Sequence, residues 1–265
     1  MTRLREAFAR AAREQRAALV IYLCAGDPDL DTTVELMAAC AEAGADVIEL
    51  GMPFSDPTAD GPVIQRASER ALKSGTTLRG VFAAARRLRA QCDVGLVLFG
   101  YYNPLLAFGE EAAAAAAREA GVDGFLVVDL PPEEAGSFLP ALSAQGLDFV
   151  PLIAPTTPAE RIARIASTAG SFLYYVSLTG VTGASTDLAR AGVRAAALRE
   201  QTGMPVALGF GVKTPDDAQV VAKYADGVVV GAAVCSAIEQ AATPQQAVMD
   251  VRALVRSLRA ACVRG

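Results

Sequence analysis

The chain has 265 residues, of which 52% are hydrophobic and 20% are charged, and its formal net charge is −5. This mildly acidic balance offers no basic surface for nucleic acid or an anionic membrane, and no apolar stretch reaches the length of about 20 residues that spans a bilayer. The chain has no histidine and no Cys-x-x-Cys spacing among its five cysteines, which argues against a zinc site and favours reduced thiols in a cytoplasmic protein.

Apolar runs alternate with helical patterns along the chain. The first pattern, over 1–16, predicts a charged amphipathic helix and lacks the apolar segment of a signal peptide. Eight apolar runs follow, over 19–23, 46–50, 94–99, 124–130, 148–153, 172–176, 205–209 and 227–231. The helical patterns between and after them cover 32–43, 62–74, 77–91, 110–120, 132–145, 158–168, 187–201, 215–223, 233–239 and 244–260.

The apolar runs are continuous rather than alternating, which is typical of parallel strands covered on both faces. Eight β-α units in this length predict an α/β protein with a (β/α)₈ TIM barrel, one domain over 1–265 with an extra N-terminal helix. A doubly wound open sheet shares the alternation and is the second interpretation. It requires a reversal of strand order that the sequence does not reveal.

A carboxylate, Glu49, stands inside the apolar run VIEL near the end of the second predicted strand. In a barrel, strand ends of this kind form the active face. An unpaired charge in the core costs several kcal/mol, so Glu49 either points into the barrel mouth or pairs with an arginine as a structural element. At an apolar mouth its pKa rises, and the group can serve as both acid and base near neutral pH.

The loop after this strand, GMPFSDPTADGP over 51–62, carries three prolines and two aspartates. Proline stiffens a loop and lowers the entropy lost when a side chain is held in one pose. Asp60 precedes Gly61, so it is either an ordinary turn residue or a second carboxylate at the mouth. Two carboxylates at one mouth predict general acid/base chemistry that needs no histidine.

Glycines follow three of the later strands, over 179–185, 209–211 and 231–233. Barrels often bind phosphate with the loops after the last two strands and a helix N-terminus, so these glycines predict a phosphate site. Lys213 lies beyond a strand end and is expected to face solvent, which disfavours a Schiff base. Tyr174, within the sixth predicted strand, is open to a core or a site interpretation.

Several segments together carry a family resemblance. The segment PFSDPTADGPVIQ over 53–65, preceded by Glu49, resembles the signature of the tryptophan synthase α subunit, and AGDPD, YYNP, GFLVVDLPPEE, GVTGA and GFGVKTP extend the resemblance over the chain. It implies a lyase of tryptophan biosynthesis that cleaves indole-3-glycerol phosphate to indole and glyceraldehyde 3-phosphate by a retro-aldol route, without cofactor or metal.

The resemblance also implies roles for single residues. Glu49 matches the acid/base, and Asp60 matches the group that binds the indole N–H and stabilises positive charge on the ring. The remaining implied substrate-binding residues are Tyr174 near the reacting side chain, Tyr22, Phe99 and Leu126 around the indole, Thr182 as a contact of Asp60 in the closed state, and Gly183, Phe210, Gly211, Gly231 and Ala232 around the phosphate. Ala232 stands where the family usually has a serine whose hydroxyl donates to the phosphate.

Family members pair with a β subunit in an αββα heterotetramer. Segments 53–60 and 101–109 match the contact surfaces, and 178–190 matches a mobile lid. Two alternatives stay open within the family: a lyase that works without a β subunit, and a weakly active relative that binds and activates one. A phosphosugar isomerase on the same barrel would need a base and an electrophile that nothing in the sequence specifies.

Overall fold

A computed structural model describes residues 2–176, 185–209 and 211–264. The strands in these residues are β1 (Ala18–Cys24), β2 (Val47–Gly51), β3 (Gly95–Gly100), β4 (Gly124–Val127), β5 (Asp148–Phe149), β6 (Leu152–Ile153), β7 (Leu173–Val176), β8 (Val206–Gly209) and β9 (Gly227–Val230). The helices are α1 (Arg3–Arg13), α2 (Leu30–Glu42), α3 (Pro62–Lys73), α4 (Leu78–Arg89), α5 (Tyr102–Phe108), α6 (Glu110–Glu119), α7 (Phe138–Ala144), α8 (Ala159–Ser167), α9 (Ser185–Thr202), α10 (Pro215–Ala222), α11 (Ala232–Gln240) and α12 (Pro244–Ala261). No described helix combines the length and the apolar character needed to cross a membrane.

The strands form one parallel sheet in the order β5-β4-β3-β2-β1-β9-β8-β7-β6. Its two ends, β5 and β6, are halves of the single predicted run 148–153, which is interrupted at Pro151 because proline has no backbone N–H. Backbone hydrogen bonds bridge the interruption on both sides: Val150 N–H donates to Phe125 O at 2.8 Å, and Tyr174 N–H donates to Pro151 O at 3.1 Å. The predicted TIM barrel is therefore confirmed, with its fifth strand split, and the open-sheet alternative is wrong.

The predicted N-terminal helix is also confirmed, as α1, and it closes the N-terminal end of the barrel. Leu4 and Phe8 are buried among interior side chains such as Val20 and Val47, and the Phe8 ring stacks on Phe172 at 4.6 Å. Since α1 covers one end of the barrel, the end where the strands finish is the one that the described residues leave open.

Two helical expectations differ from the structure. The pattern over 132–145 forms a helix only over Phe138–Ala144, because residues 131–136 make turns with Gly136, a poor helix former, at their end. The sequence did not predict α5, whose Pro104 sits in the first turn, where proline is tolerated. Asp129, in the loop after β4, accepts the Tyr102 N–H at 2.8 Å and caps this helix.

Candidate active site

The open end of the barrel holds a cavity of about 730 Å³. Eight of the predicted site residues line it: Tyr22, Glu49, Asp60, Phe99, Tyr174, Gly211, Gly231 and Ala232. Leu126 does not line it. This side chain is fully buried in the barrel interior, and β4 and the loop after it present Val127, Val128 and Asp129 to the cavity instead. The predicted residues Thr182, Gly183 and Phe210 lie outside the described residues.

Strand alternation directs Glu49 into the barrel. Along β2, Ile48 and Leu50 pack in the layer between strands and helices, while Val47 packs in the barrel interior. Glu49 lies two residues after Val47, on the same face of the strand, and therefore points inward. It pairs with Tyr22 on β1 and lies at the same level. One apolar side chain below it and a cavity above it place the carboxyl at the floor of the site.

The Glu49 carboxyl has no compensating partner among the described residues. It is 1% exposed, and neither oxygen accepts or donates a hydrogen bond. Asp46, buried a few residues earlier, shows the usual solution: Arg16 donates to its Oδ1 at 2.8 Å. The interpretation of Glu49 as a structural ion pair is therefore wrong for the described part of the chain. Burial raises the pKa of Glu49 to about 8, so the group is largely protonated at neutral pH.

Asp60, from the loop after β2, is held in place by hydrogen bonds. The Tyr101 hydroxyl donates to its Oδ2 at 3.1 Å, and the Ala59 N–H donates to that hydroxyl at 2.9 Å. The Gln65 amide donates to the Asp60 carbonyl at 2.9 Å and ties the loop to α3. Burial raises the pKa of Asp60 to about 6, against the opposing effect of the Tyr101 hydrogen bond.

Between about pH 6 and pH 8 the two carboxyl groups thus prefer opposite protonation states, with Glu49 neutral and Asp60 ionised. Two acids whose surroundings separate their pKa values are a common arrangement for acid/base catalysis. One can donate a proton while the other stabilises a positive charge.

Aromatic side chains flank these carboxyl groups. The rings of Tyr22 and Phe99 meet edge to face at 5.2 Å. Glycine makes room for both tyrosines, since a Cβ on Gly51 would lie 2.4 Å from the Tyr22 hydroxyl and one on Gly209 would lie 2.0 Å from the Tyr174 hydroxyl. Burial raises the pKa of both tyrosines well above the usual value, so they remain protonated. Aromatic rings thus form part of the cavity lining.

The part of the cavity at the start of α11 favours an anion. Helix α11 begins at Ala232, directly after the cavity residue Gly231, and has neither a side-chain cap nor an acidic residue in its first turn. No side chain among the described residues caps its first N–H groups, and the helix dipole adds positive potential there. Gly211, after β8, has a left-handed φ of 83° that favours glycine.

Tyr101 lies in a segment expected at the active face of the barrel, but the sequence reasoning gave it no role in the site. It contacts Asp60 through a hydrogen bond and Phe54 through its ring, at 5.2 Å. The sequence signal was only its position just after β3, within a segment assigned to a contact surface.

Comparison with known proteins places this chain in one family. The family profile described as Tryptophan synthase alpha chain matches residues 8–263. A tryptophan synthase alpha chain from Geobacter sulfurreducens is 49% identical over 262 residues, 98% of this chain and 99% of the relative. One from Dechloromonas aromatica is 50% identical over 98% of this chain and 97% of the relative.

Comparison with solved structures gives the same family. The crystal structure of tryptophan synthase subunit alpha from Legionella pneumophila superposes with a TM-score of 0.92 and 39% identity, over 99% of this chain and 98% of that one. A chain of tryptophan synthase from M. tuberculosis, in an open form with BRD0059 bound, gives 0.89 and 34% over 100% of both chains. This chain therefore belongs to the tryptophan synthase alpha chain family, lyases that serve as the alpha subunit in tryptophan biosynthesis.

Proposed function

We propose that the chain cleaves indole-3-glycerol phosphate to indole and glyceraldehyde 3-phosphate by a retro-aldol reaction. The observation that carries this proposal is that the buried Glu49 carboxyl, which has no hydrogen-bond partner among the described residues, and Asp60 line one cavity. The indole occupies the aromatic side with its N–H toward Asp60, and the phosphate lies at the N-terminus of α11.

Glu49 acts first as the acid in this scheme. It donates its proton to indole C3, and the ring becomes an indolenine cation whose charge the Asp60 carboxylate stabilises. The Glu49 carboxylate then takes the proton of the hydroxyl on the carbon attached to C3. That carbon becomes the aldehyde, its bond to C3 breaks, and the electron pair returns to the ring and restores neutral indole. Glu49 ends the cycle protonated.

Indole release by the purified chain tests the proposal. We expect indole and glyceraldehyde 3-phosphate in equal amounts from indole-3-glycerol phosphate, with no added metal or cofactor. A folded chain that releases neither product would contradict the proposed reaction.

Ala232→Ser should tighten phosphate binding. A serine at the start of α11 adds one hydroxyl donor at the anion side, and a hydrogen bond to a charged group contributes about 1.5 kcal/mol or more, so we expect KM to fall about tenfold with kcat nearly unchanged. Ala237→Ser, on the same helix but away from the cavity, serves as the control. Equal KM values for the wild type and Ala232→Ser would argue against phosphate at α11.

Tyr101→Phe should weaken catalysis through Asp60. The variant loses the hydrogen bond that lowers the pKa of Asp60, so that pKa rises and less carboxylate is present near pH 6. We expect kcat/KM to fall by about three- to tenfold, with a larger loss near pH 6 than near pH 7.5. The same loss at both pH values would show that Tyr101 acts only through packing.

We also propose an αββα heterotetramer with a β subunit. The Leu106 side chain on α5 is 55% exposed, and residues 54–58 border a second cavity, of about 280 Å³, against α3. Tyr101 contacts both Phe54 and Asp60. A partner bound to this surface can therefore affect the active site through the Tyr101 side chain. Titration with a β subunit should change the turnover of indole-3-glycerol phosphate, and an unchanged rate would count against this surface.

A further inference from the structure

Acidic and basic side chains are distributed unevenly around the cavity. Acidic side chains line it from the β2 to β4 side, at Glu49, Asp60 and Asp129, and the described cations that line it are Arg161 and Lys213. The Arg161 guanidinium donates to both oxygens of Glu133, at 2.9 and 3.0 Å. Its charge is therefore largely compensated, and Lys213 is the described cation of the cavity with no ion pair in the described residues.

The position of Lys213 is well defined. Its backbone N–H and that of Thr214 both donate to Asp217 Oδ2 at 3.0 Å, in the capping box that opens α10. The segment follows β8, which pairs with β9, and α11 begins directly after β9. Adjacent strand ends thus bring an uncompensated ammonium and a free helix N-terminus to one side of the cavity.

We infer that Lys213 is a substrate-binding residue whose ammonium pairs with the phosphate dianion of the substrate at α11. This inference rests on the proposed function. A phosphate monoester carries about −1.5 to −2 charge at pH 7, and a helix N-terminus offers only about +0.5. With Ala232 lacking a hydroxyl, backbone amides alone leave most of that charge uncompensated, and the exposed lysine supplies the missing cation.

Lys213→Met tests the inference, with Lys223→Met as the matched control because Lys223 is an exposed lysine away from the cavity. We expect Lys213→Met to raise KM for indole-3-glycerol phosphate roughly three- to tenfold at low salt, with kcat changed less than about twofold. The difference should shrink in about 0.5 M salt because the ammonium is exposed. Lys213→Arg should restore most of the affinity, and inhibition by indole, which has no phosphate, should not change.

Three kinetic results would overturn the inference: an unchanged KM in Lys213→Met, an equal increase in KM in Lys223→Met, or an increase in KM that appears in Arg161→Met instead.

A calorimetric measurement of glycerol 3-phosphate binding separates this inference from the proposed reaction. If the wild type releases no indole, the reaction fails, but weaker binding of glycerol 3-phosphate by Lys213→Met than by the wild type still supports the lysine. Equal binding, or no binding by either, refutes it.

Discussion

Glu49→Gln should reduce kcat/KM for indole release by at least about 100-fold. Glutamine keeps the shape of the side chain but can neither donate a proton to indole C3 nor accept one from the glycerol hydroxyl. Both steps of the proposed reaction therefore fail together. The measurement is indole release from indole-3-glycerol phosphate by the purified variant at about pH 7.5, between the pKa values of the two acids.

The folded state provides the control for this variant. Burial raises the pKa of Glu49 from 4.5 to about 8, so the stability that depends on its proton is complete below pH 4.5 and is lost as the pH rises through 8. Glutamine has no charge to bury. Above about pH 8 the free energy of unfolding should therefore be larger for Glu49→Gln than for the wild type, by more than about 1 kcal/mol.

Urea denaturation of both proteins at acidic and alkaline pH measures this difference. A variant that is inactive yet more stable at alkaline pH has lost chemistry rather than structure. Retention of more than about a tenth of the wild-type kcat/KM would contradict the acid/base role of Glu49.

Asp60→Asn should lower kcat by about 100- to 1000-fold, with a smaller change in KM. The amide oxygen can still accept from Tyr101, so the loop stays in place and the loss reports the missing negative charge near the indolenine cation. Asp56→Asn is the matched control, because Asp56 is an exposed acid of the same loop and lies away from this cavity. In the isolated chain, without a β subunit, it should keep activity within about twofold of the wild type. A similar kcat in Asp60→Asn and Asp56→Asn would contradict the electrostatic role of Asp60.

The sequence predicted the barrel because continuous apolar runs and their regular alternation with helices are local features. The same reasoning found Glu49, since a carboxylate inside an apolar run has few physical explanations. The split of the fifth strand was less visible, although Pro151 was its signal. The capped helix α5 was missed because its cap, Asp129, lies 27 positions further along the chain.

The depth of a side chain within the barrel, and contacts between residues far apart in the chain, could not be predicted from the sequence. Leu126 was assigned to the cavity wall by the resemblance, but the depth of a residue along a strand depends on the register between strands, and here it lies in the barrel interior. Tyr101 is 41 positions from Asp60 in the chain, and only the fold brings the two together. Lys213 is exposed as expected, yet it also borders the cavity.

The dependence of kcat/KM on pH above neutrality tests the protonation of Glu49 most directly, because kcat/KM reports groups of the free enzyme. The phosphate of the substrate and Asp60 are both ionised in this range, so the titration isolates Glu49. We predict that kcat/KM falls as the pH rises through about 8, the pKa of the buried acid. Full activity that persists to about pH 10 would contradict a protonated Glu49 as the donor to indole C3.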